Sequence, residues 1–148
     1  MAKIAIVHGP NLNLLGVREQ TIYGDLSLKE IEELITRQIS NEHTIETFQS
    51  NSEGAIIDKL YVLRTQVDGI VLNAGAYTHT SYAIRDAIAA IGIPVVEVHL
   101  SNIYSRESFR RRSVIAPVCL GQITGFGWLS YKLGIDALLE HLKKNTQS

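Results

Sequence analysis

The sequence predicts an α/β domain built on a parallel sheet covered on both faces, and three observations carry that expectation. Short apolar runs of strand length alternate with stretches of helical periodicity along the whole chain. Consecutive strands that run parallel need long crossover connections, and the segments between the runs are helical stripes of the required length. The unusual polar residues cluster in the breaks that follow the strands, which is where an open parallel sheet presents its ligand site.

The elements follow in order. Ile4, Ala5, Ile6 and Val7 read as a buried strand that opens into His8, Gly9, Pro10 and Asn11. Beyond it, Arg18, Glu19 and Tyr23 lie between Gly16 and Gly24, loop contents expected of a mobile lid that carries reactive groups. Ser27 and Glu30 have the spacing of a capping box, the serine accepting from the backbone and the glutamate reaching back. Behind them Leu28, Ile31, Leu34, Ile35 and Ile39 share one helical face. Residues 44–49 alternate as a second strand, and Ile56, Ile57, Leu60 and Leu63 mark a second helix. Gly69, Ile70, Val71 and Leu72 form a third strand that breaks at Asn73, Ala74 and Gly75. Ala83, Ile84, Ala87, Ile88 and Ile91 stripe a third helix, and residues 94–98 form a fourth strand. After a basic turn over residues 106–112, residues 114–120 read as the fifth strand. A last helix covers about residues 128–141, with a frayed polar tail. No repeat, linker or low-complexity segment divides the chain, so residues 1–148 are expected to be one domain.

The expected architecture is a flavodoxin-like three-layer αβα sandwich with five parallel strands in the order 2-1-3-4-5. That order makes strands one, three and four neighbours. The loops bearing Asn11, Asn73 with His79, and His99 with Ser101 and Asn102 then converge on one crevice.

Composition narrows the function classes. Of 148 residues, 45% are hydrophobic and 20% charged, as in ordinary globular proteins. Fourteen basic against fifteen acidic residues leave a net charge of −1, which asks for neither nucleic acid nor a membrane surface. The apolar run before His8 is too short for a secretory signal, and the longest uncharged stretch, residues 113–131, is broken by Pro117, Gly121, Gly125 and Gly127. With a single cysteine, Cys119, no internal disulfide forms, and a cytoplasmic protein is expected. Cys119 itself reads as a buried, inert thiol in a strand. The histidines lack local ligand spacing and have no cysteine partner, so no metal site is expected. Gly125, Phe126 and Gly127 lack the third glycine of a phosphate cradle and read as close helix packing.

Residues 9–24 (GPNLNLLGVREQTIYG), 73–87 (NAGAYTHTSYAIRDA) and 97–113 (EVHLSNIYSRESFRRRS) together resemble the type II 3-dehydroquinate dehydratases, in order and spacing over essentially the whole chain. The resemblance implies a cofactor-free trans elimination of water from 3-dehydroquinate to 3-dehydroshikimate through an enolate, in the shikimate pathway of aromatic amino acid biosynthesis or in quinate breakdown. It also implies a homo-dodecamer arranged as a tetramer of trimers. Carried over position by position, Tyr23 is the general base with Arg18 as its activator. His99 is the acid that protonates the departing hydroxyl, and Asn11 holds a water that stabilises the enolate. Substrate binding falls to Asn73, His79, Leu100, Ser101 and Arg110, with Asp86 supplied by a neighbouring subunit. The chain departs from the family pattern at Ala74, where proline is common, at Ser52, where histidine is frequent, and at Arg111 and Arg112, where a histidine pair is frequent. Ala74 is expected to loosen the turn that positions Asn73.

The residue types suit that chemistry. Taking a proton next to a ketone requires a base, a site for the developing oxyanion and an acid for the leaving group. Tyrosine titrates near pH 10, about three units too high, a deficit of about 4 kcal/mol. A guanidinium at about 4 Å contributes on the order of 4 kcal/mol at an effective dielectric of about 20, so Arg18 can supply most of it if the lid brings the charge close. Each residue also has a plainer reading. Tyr23 can be a lid aromatic packed on the surface, and His99, after a buried run, a hydrogen-bonded core histidine. His79 can be a helix cap, and Arg110, Arg111 and Arg112 a solvated face with one member turned inward. His43 and His141 read as surface residues, His8 as a support of the first loop, and Asp86 as solvated. Two other classes share the expected fold. A phosphoacceptor signalling domain needs clustered aspartates after strands one and three, where this chain has Asn11 and Asn73. A flavin-binding electron carrier needs a Ser/Thr/Gly-rich phosphate loop where Pro10, Asn11, Leu12 and Asn13 stand.

Overall fold

The computed structural model describes residues 1–39 and 41–146. Strands β1 (Lys3–His8), β2 (Thr44–Gln49), β3 (Gly69–Asn73), β4 (Val95–His99) and β5 (Gly121–Thr124) form one sheet in the order β2-β1-β3-β4-β5, every pair parallel. This is the flavodoxin-like order expected from the sequence. The helices are α1 (Gln20–Tyr23), a single turn in the lid, α2 (Leu28–Gln38), α3 (Glu53–Leu63), α4 (Tyr82–Ile91) and α5 (Leu129–Thr146).

Both faces of the sheet are covered because successive strand residues point opposite ways. Ala5 and Val7 of β1 and Ile70 and Leu72 of β3 pack with Ile56, Leu60 and Leu63 of α3 and Ile84, Ala87 and Ile91 of α4. Ile4, Ile6, Val71, Val96 and Val98 pack on the other side with Ile31 and Ile35 of α2 and Tyr131, Ile135 and Leu138 of α5. The expected capping box starts α2: the Glu30 N–H donates to Ser27 Oγ and the Ser27 N–H to Glu30 Oε1, each at 3.1 Å.

The C-terminal third corrects the sequence reading. Residues 114–120 are not the fifth strand. Ala116–Val118 is a 3-10 turn, and β5 begins at Gly121, paired with Val96. Pro117 has no N–H to give a ladder, and the Ala116 N–H is already taken by Ser113 Oγ at 2.9 Å, so the chain turns before it can pair. Val114 and Ile115, whose apolar character mimics a strand, are instead buried beside α4. Cys119 therefore closes a turn, not a strand, and is half-buried; burial first, and then the charge of Glu97, push its thiol up to about 12. The tail of the last helix does not fray at residue 141 but continues to Thr146, with Lys143 and Lys144 in the final turn, where the helix dipole favours cations. Gly125 and Gly127 do not serve helix packing. Both have positive φ in the turn between β5 and α5, and Gly125 lies against the backbone of Asn102.

Gly9 shows how closely the strand-end loops approach. Its N–H donates to Asn73 O at 2.7 Å, and a Cβ there would lie 2.6 Å from the carbonyl of Ala74. Gly9→Ala must push the β1 and β3 loops apart. A destabilisation of about 1–3 kcal/mol is expected, read as a lowered denaturation midpoint at constant m-value. Among the described residues, no helix is long and apolar enough to cross a membrane.

Candidate active site

The carboxyl ends of β1, β3 and β4 feed one cleft. Asn11 leaves β1 in the left-handed region (φ 68°), which asparagine tolerates, with its N–H held by Asn51 Oδ1 at 3.0 Å. Leu12 and Leu15 bury themselves and anchor the chain before the lid. The lid then runs between Gly16 and Gly24, both at positive φ, with α1 between them. Its geometry brings Arg18 onto Tyr23: Nη2 donates to the phenol oxygen at 3.1 Å, and the guanidinium carbon lies 4.0 Å from the ring centroid. The cation therefore faces the phenol oxygen directly.

A second charged unit stands at the end of β4. Glu97 is completely buried and accepts three hydrogen bonds, from His99 Nε2 at 2.5 Å, Ser113 Oγ at 2.8 Å and Gln122 Nε2 at 3.0 Å. Burial opposes its charge, but the three donors and the imidazole outweigh burial and hold the carboxyl below its ordinary range. The carboxylate thus stays ionised and takes the Nε2–H of His99, which fixes the tautomer and the plane of the ring.

The remaining polar residues surround these two units. Asn73 is buried at the end of β3, its Oδ1 accepting from the Gly75 N–H at 3.1 Å. At Ala74 the turn is held through its carbonyls, Asn73 O accepting from the Gly9 N–H at 2.7 Å and Ala74 O from the Tyr77 N–H at 3.2 Å. His79 is not a cap; Ser81 caps α4 by accepting from the Ile84 N–H. His79 Nδ1 instead donates to Arg112 O at 2.9 Å, leaving Nε2 for a ligand. Burial above all, opposed by the Arg112 carbonyl, lowers its pKa, and His99 and Arg110 lower it further. Of the three consecutive arginines Arg110 alone turns inward, held by Glu107 at 2.8 Å, while Arg111 and Arg112 are exposed. Ser101 Oγ accepts from Arg106 at 3.2 Å.

Asn11, Arg18, Tyr23, Asn73, His79, His99, Leu100, Ser101 and Arg110 all line this one cleft, as the convergence of loops predicts. Asp86 does not: it is exposed on the outer face of α4. No lysine is among the lining residues. The cleft has a volume of about 110 Å³ and opens to solvent.

Two residues escape the sequence reading. Glu97 is read there as part of an apolar strand, yet a charge inside a buried run, two positions before a histidine and hence on the same face, is a signal of a hydrogen-bonded pair. Arg106 is read as part of a basic turn; its guanidinium lies 4.9 Å from the Tyr23 ring and lines the cleft. Nothing in its immediate sequence separates it from its basic neighbours.

The comparisons agree with this geometry. The family model for dehydroquinase class II matches residues 2–139. The chain belongs to the class II dehydroquinase family. A 3-dehydroquinate dehydratase of Caldicellulosiruptor saccharolyticus is 55% identical over 145 residues, covering 96% of this chain and 99% of that relative. The crystal structure of the type II dehydroquinase from Butyrivibrio crossotus superposes with a TM-score of 0.90 at 49% identity, over 93% of this chain and 97% of that one. The type II dehydroquinase from Propionibacterium acnes gives 0.87 at 32% identity, over 93% and 96%. Within this dehydroquinase fold, the cleft offers a phenol beside a guanidinium and an imidazole beside a buried carboxylate, the parts an acid–base elimination requires.

Proposed function

We propose that this chain is a 3-dehydroquinate dehydratase, a hydro-lyase that eliminates water from 3-dehydroquinate in trans to give 3-dehydroshikimate, as part of the shikimate pathway. The observation that carries this reading is the meeting of the Arg18–Tyr23 pair and the Glu97–His99 pair in one cleft. Tyr23, as phenolate, takes a proton from the carbon next to the ketone, and the C–H electron pair moves into the carbonyl to form an enolate. Arg18 stabilises the phenolate at 3.1 Å. A water held by Asn11 faces the enolate oxygen. The enolate then collapses, the C–O bond on the next carbon breaks, and His99 delivers the proton with which the hydroxyl departs as water. Glu97 accepts the Nε2–H of His99, so the proton delivered is the one the imidazolium carries on Nδ1, and the ring ends the step as the neutral Nε2–H tautomer. Asn73, His79, Leu100, Ser101 and Arg110 bind the carboxylate and hydroxyls of the substrate. The reaction needs no cofactor, since every proton it moves has a side chain to carry it.

Adding 3-dehydroquinate is expected to produce the ultraviolet absorbance of a conjugated enone; no absorbance change sinks the proposal. Because no lysine lines the cleft, borohydride in the presence of substrate is expected to leave both activity and protein mass unchanged. A mass increment after reduction replaces the enolate route with covalent catalysis.

The assembly we propose is a dodecamer of four trimers in the cytoplasm. Asp86 lies with exposed Tyr82 on the face of α4 turned away from its core, and it reaches the cleft of the next subunit to engage substrate hydroxyls and Arg18. Light scattering is expected to give about twelve times 16.4 kDa. Asp86→Ala is expected to raise KM about tenfold without unfolding α4, as loss of one hydrogen bond to a charged group does. A fully active monomer returns Asp86 to the role of a solvated surface residue.

A further inference from the structure

His8 is wholly buried, and it does not support the first loop. The alternation of β1 points it, like Ile4 and Ile6, to the α2/α5 face, and the alternation of β3 points Asn73 there as well. Between the two stands Tyr131 of α5, also fully buried: its hydroxyl lies 2.9 Å from His8 Nδ1 and 3.0 Å from Asn73 Nδ2. His8 Nε2 lies 3.1 Å from Glu32 Oε1 of α2, without hydrogen-bond geometry.

Donor and acceptor counting gives this chain a direction. The Gly75 N–H can only donate, so the Asn73 atom it meets is the carbonyl oxygen, and the atom facing Tyr131 is the amide nitrogen. That nitrogen donates to the Tyr131 oxygen. Burial raises the pKa of the phenol, so its proton stays and must go to an acceptor, which is His8 Nδ1. His8 is then the neutral tautomer with its proton on Nε2, beside the Glu32 carboxylate that favours it there. After these bonds, Asn73 has one N–H left, and Asn73 lines the cleft.

We propose that Tyr131, oriented by His8, is a positioning residue that locks the Asn73 amide so that it offers the cleft a donor, fitted to a carboxylate, carbonyl or hydroxyl oxygen of the substrate. The inference rests on the reading of Asn73 as a substrate-binding residue. Without the phenol, the amide loses one of its two restraints and the cleft loses a fixed donor.

Steady-state kinetics with 3-dehydroquinate test it. Tyr131→Phe is expected to raise KM about tenfold with kcat within about threefold of wild type, the effect of one misplaced hydrogen bond. The Asn73→Ala, Tyr131→Phe double variant is expected to match Asn73→Ala alone, because Tyr131 acts only through Asn73. His8→Leu removes the acceptor and is expected to behave like Tyr131→Phe. His8→Asn places Oδ1 about where Nδ1 stood and is expected to recover most of that loss. Additive losses in the double variant, an unchanged KM in Tyr131→Phe, or equal losses in His8→Asn and His8→Leu overturn the proposal. If Tyr131→Phe does not fold, the two His8 variants decide. An unchanged KM in Asn73→Ala removes Asn73 from binding; a raised KM there with an unchanged KM in Tyr131→Phe removes the lock alone.

Discussion

Tyr23→Phe is expected to lower kcat by about 10²–10⁴-fold, the range a positioned proton-transfer group supplies, while the far-ultraviolet circular dichroism stays that of wild type. The fold is insulated from this change because Tyr23 lies in the lid and only packs against the core, and the lid is anchored independently by Leu12 and Leu15. What disappears is the one atom that meets the Arg18 guanidinium at 3.1 Å. The ring remains, so the contacts of Arg18 and Arg106 with its face are retained and KM is expected to change little. A variant that keeps a tenth of the wild-type rate removes Tyr23 from the role of base and hands the proton to another group. Arg18→Gln then serves as the companion measurement: a phenol that has lost the guanidinium 3.1 Å from its oxygen is expected to lose kcat with little change in KM.

His99→Ala is expected to reduce kcat by a similar factor, and the split between parameters decides the role. An acid that acts only as the hydroxyl departs lowers kcat with little effect on affinity for product. A rise in KM alone makes His99 a binding residue. Glu97→Gln gives the finer reading. Its amide has one acceptor oxygen where the carboxylate has two, yet three donors converge on it, so at least one buried group loses its partner. A loss of about 10–100-fold in kcat is expected, equivalent to the 1.5–3 kcal/mol of a hydrogen bond to a charged group. Full activity in Glu97→Gln confines the carboxylate to a structural role.

Most of the sheet and helices are legible from local pattern. The capping box is a short-range feature and appears where the spacing places it, and the stripe of α4 does so at Ile84, Ala87, Ile88 and Ile91, though Ala83 is exposed; β2 forms where expected, but as an edge strand whose burial does not alternate. The strand order 2-1-3-4-5 then brings nine of the ten expected site residues to one cleft, because strand-end loops of neighbouring parallel strands open on the same edge. The fifth strand fails for a reason of the same kind in reverse. Residues 114–120 are apolar enough to look like a strand, but Pro117 lacks a ladder N–H, and the commitment of the Ala116 N–H to Ser113, which only the structure shows, takes its neighbour's.

What the sequence by itself determined is therefore what depends on neighbours within a turn or two: the helices and the first four strands, their apolar faces, and which strand-end loops hold the polar residues of the cleft. The tertiary structure alone decided the pairings. The Glu97 carboxylate is satisfied in the interior because Ser113 and Gln122, from segments beyond β4, turn their donors onto it beside His99. His8 meets Tyr131 across 123 positions of chain, and Asn73 meets it across 58. Such contacts have no local signature, since hydrogen bonds in a buried site answer to the position of atoms in space. Only the packing of α5 against β1 and β3 brings a phenol within bonding distance of both.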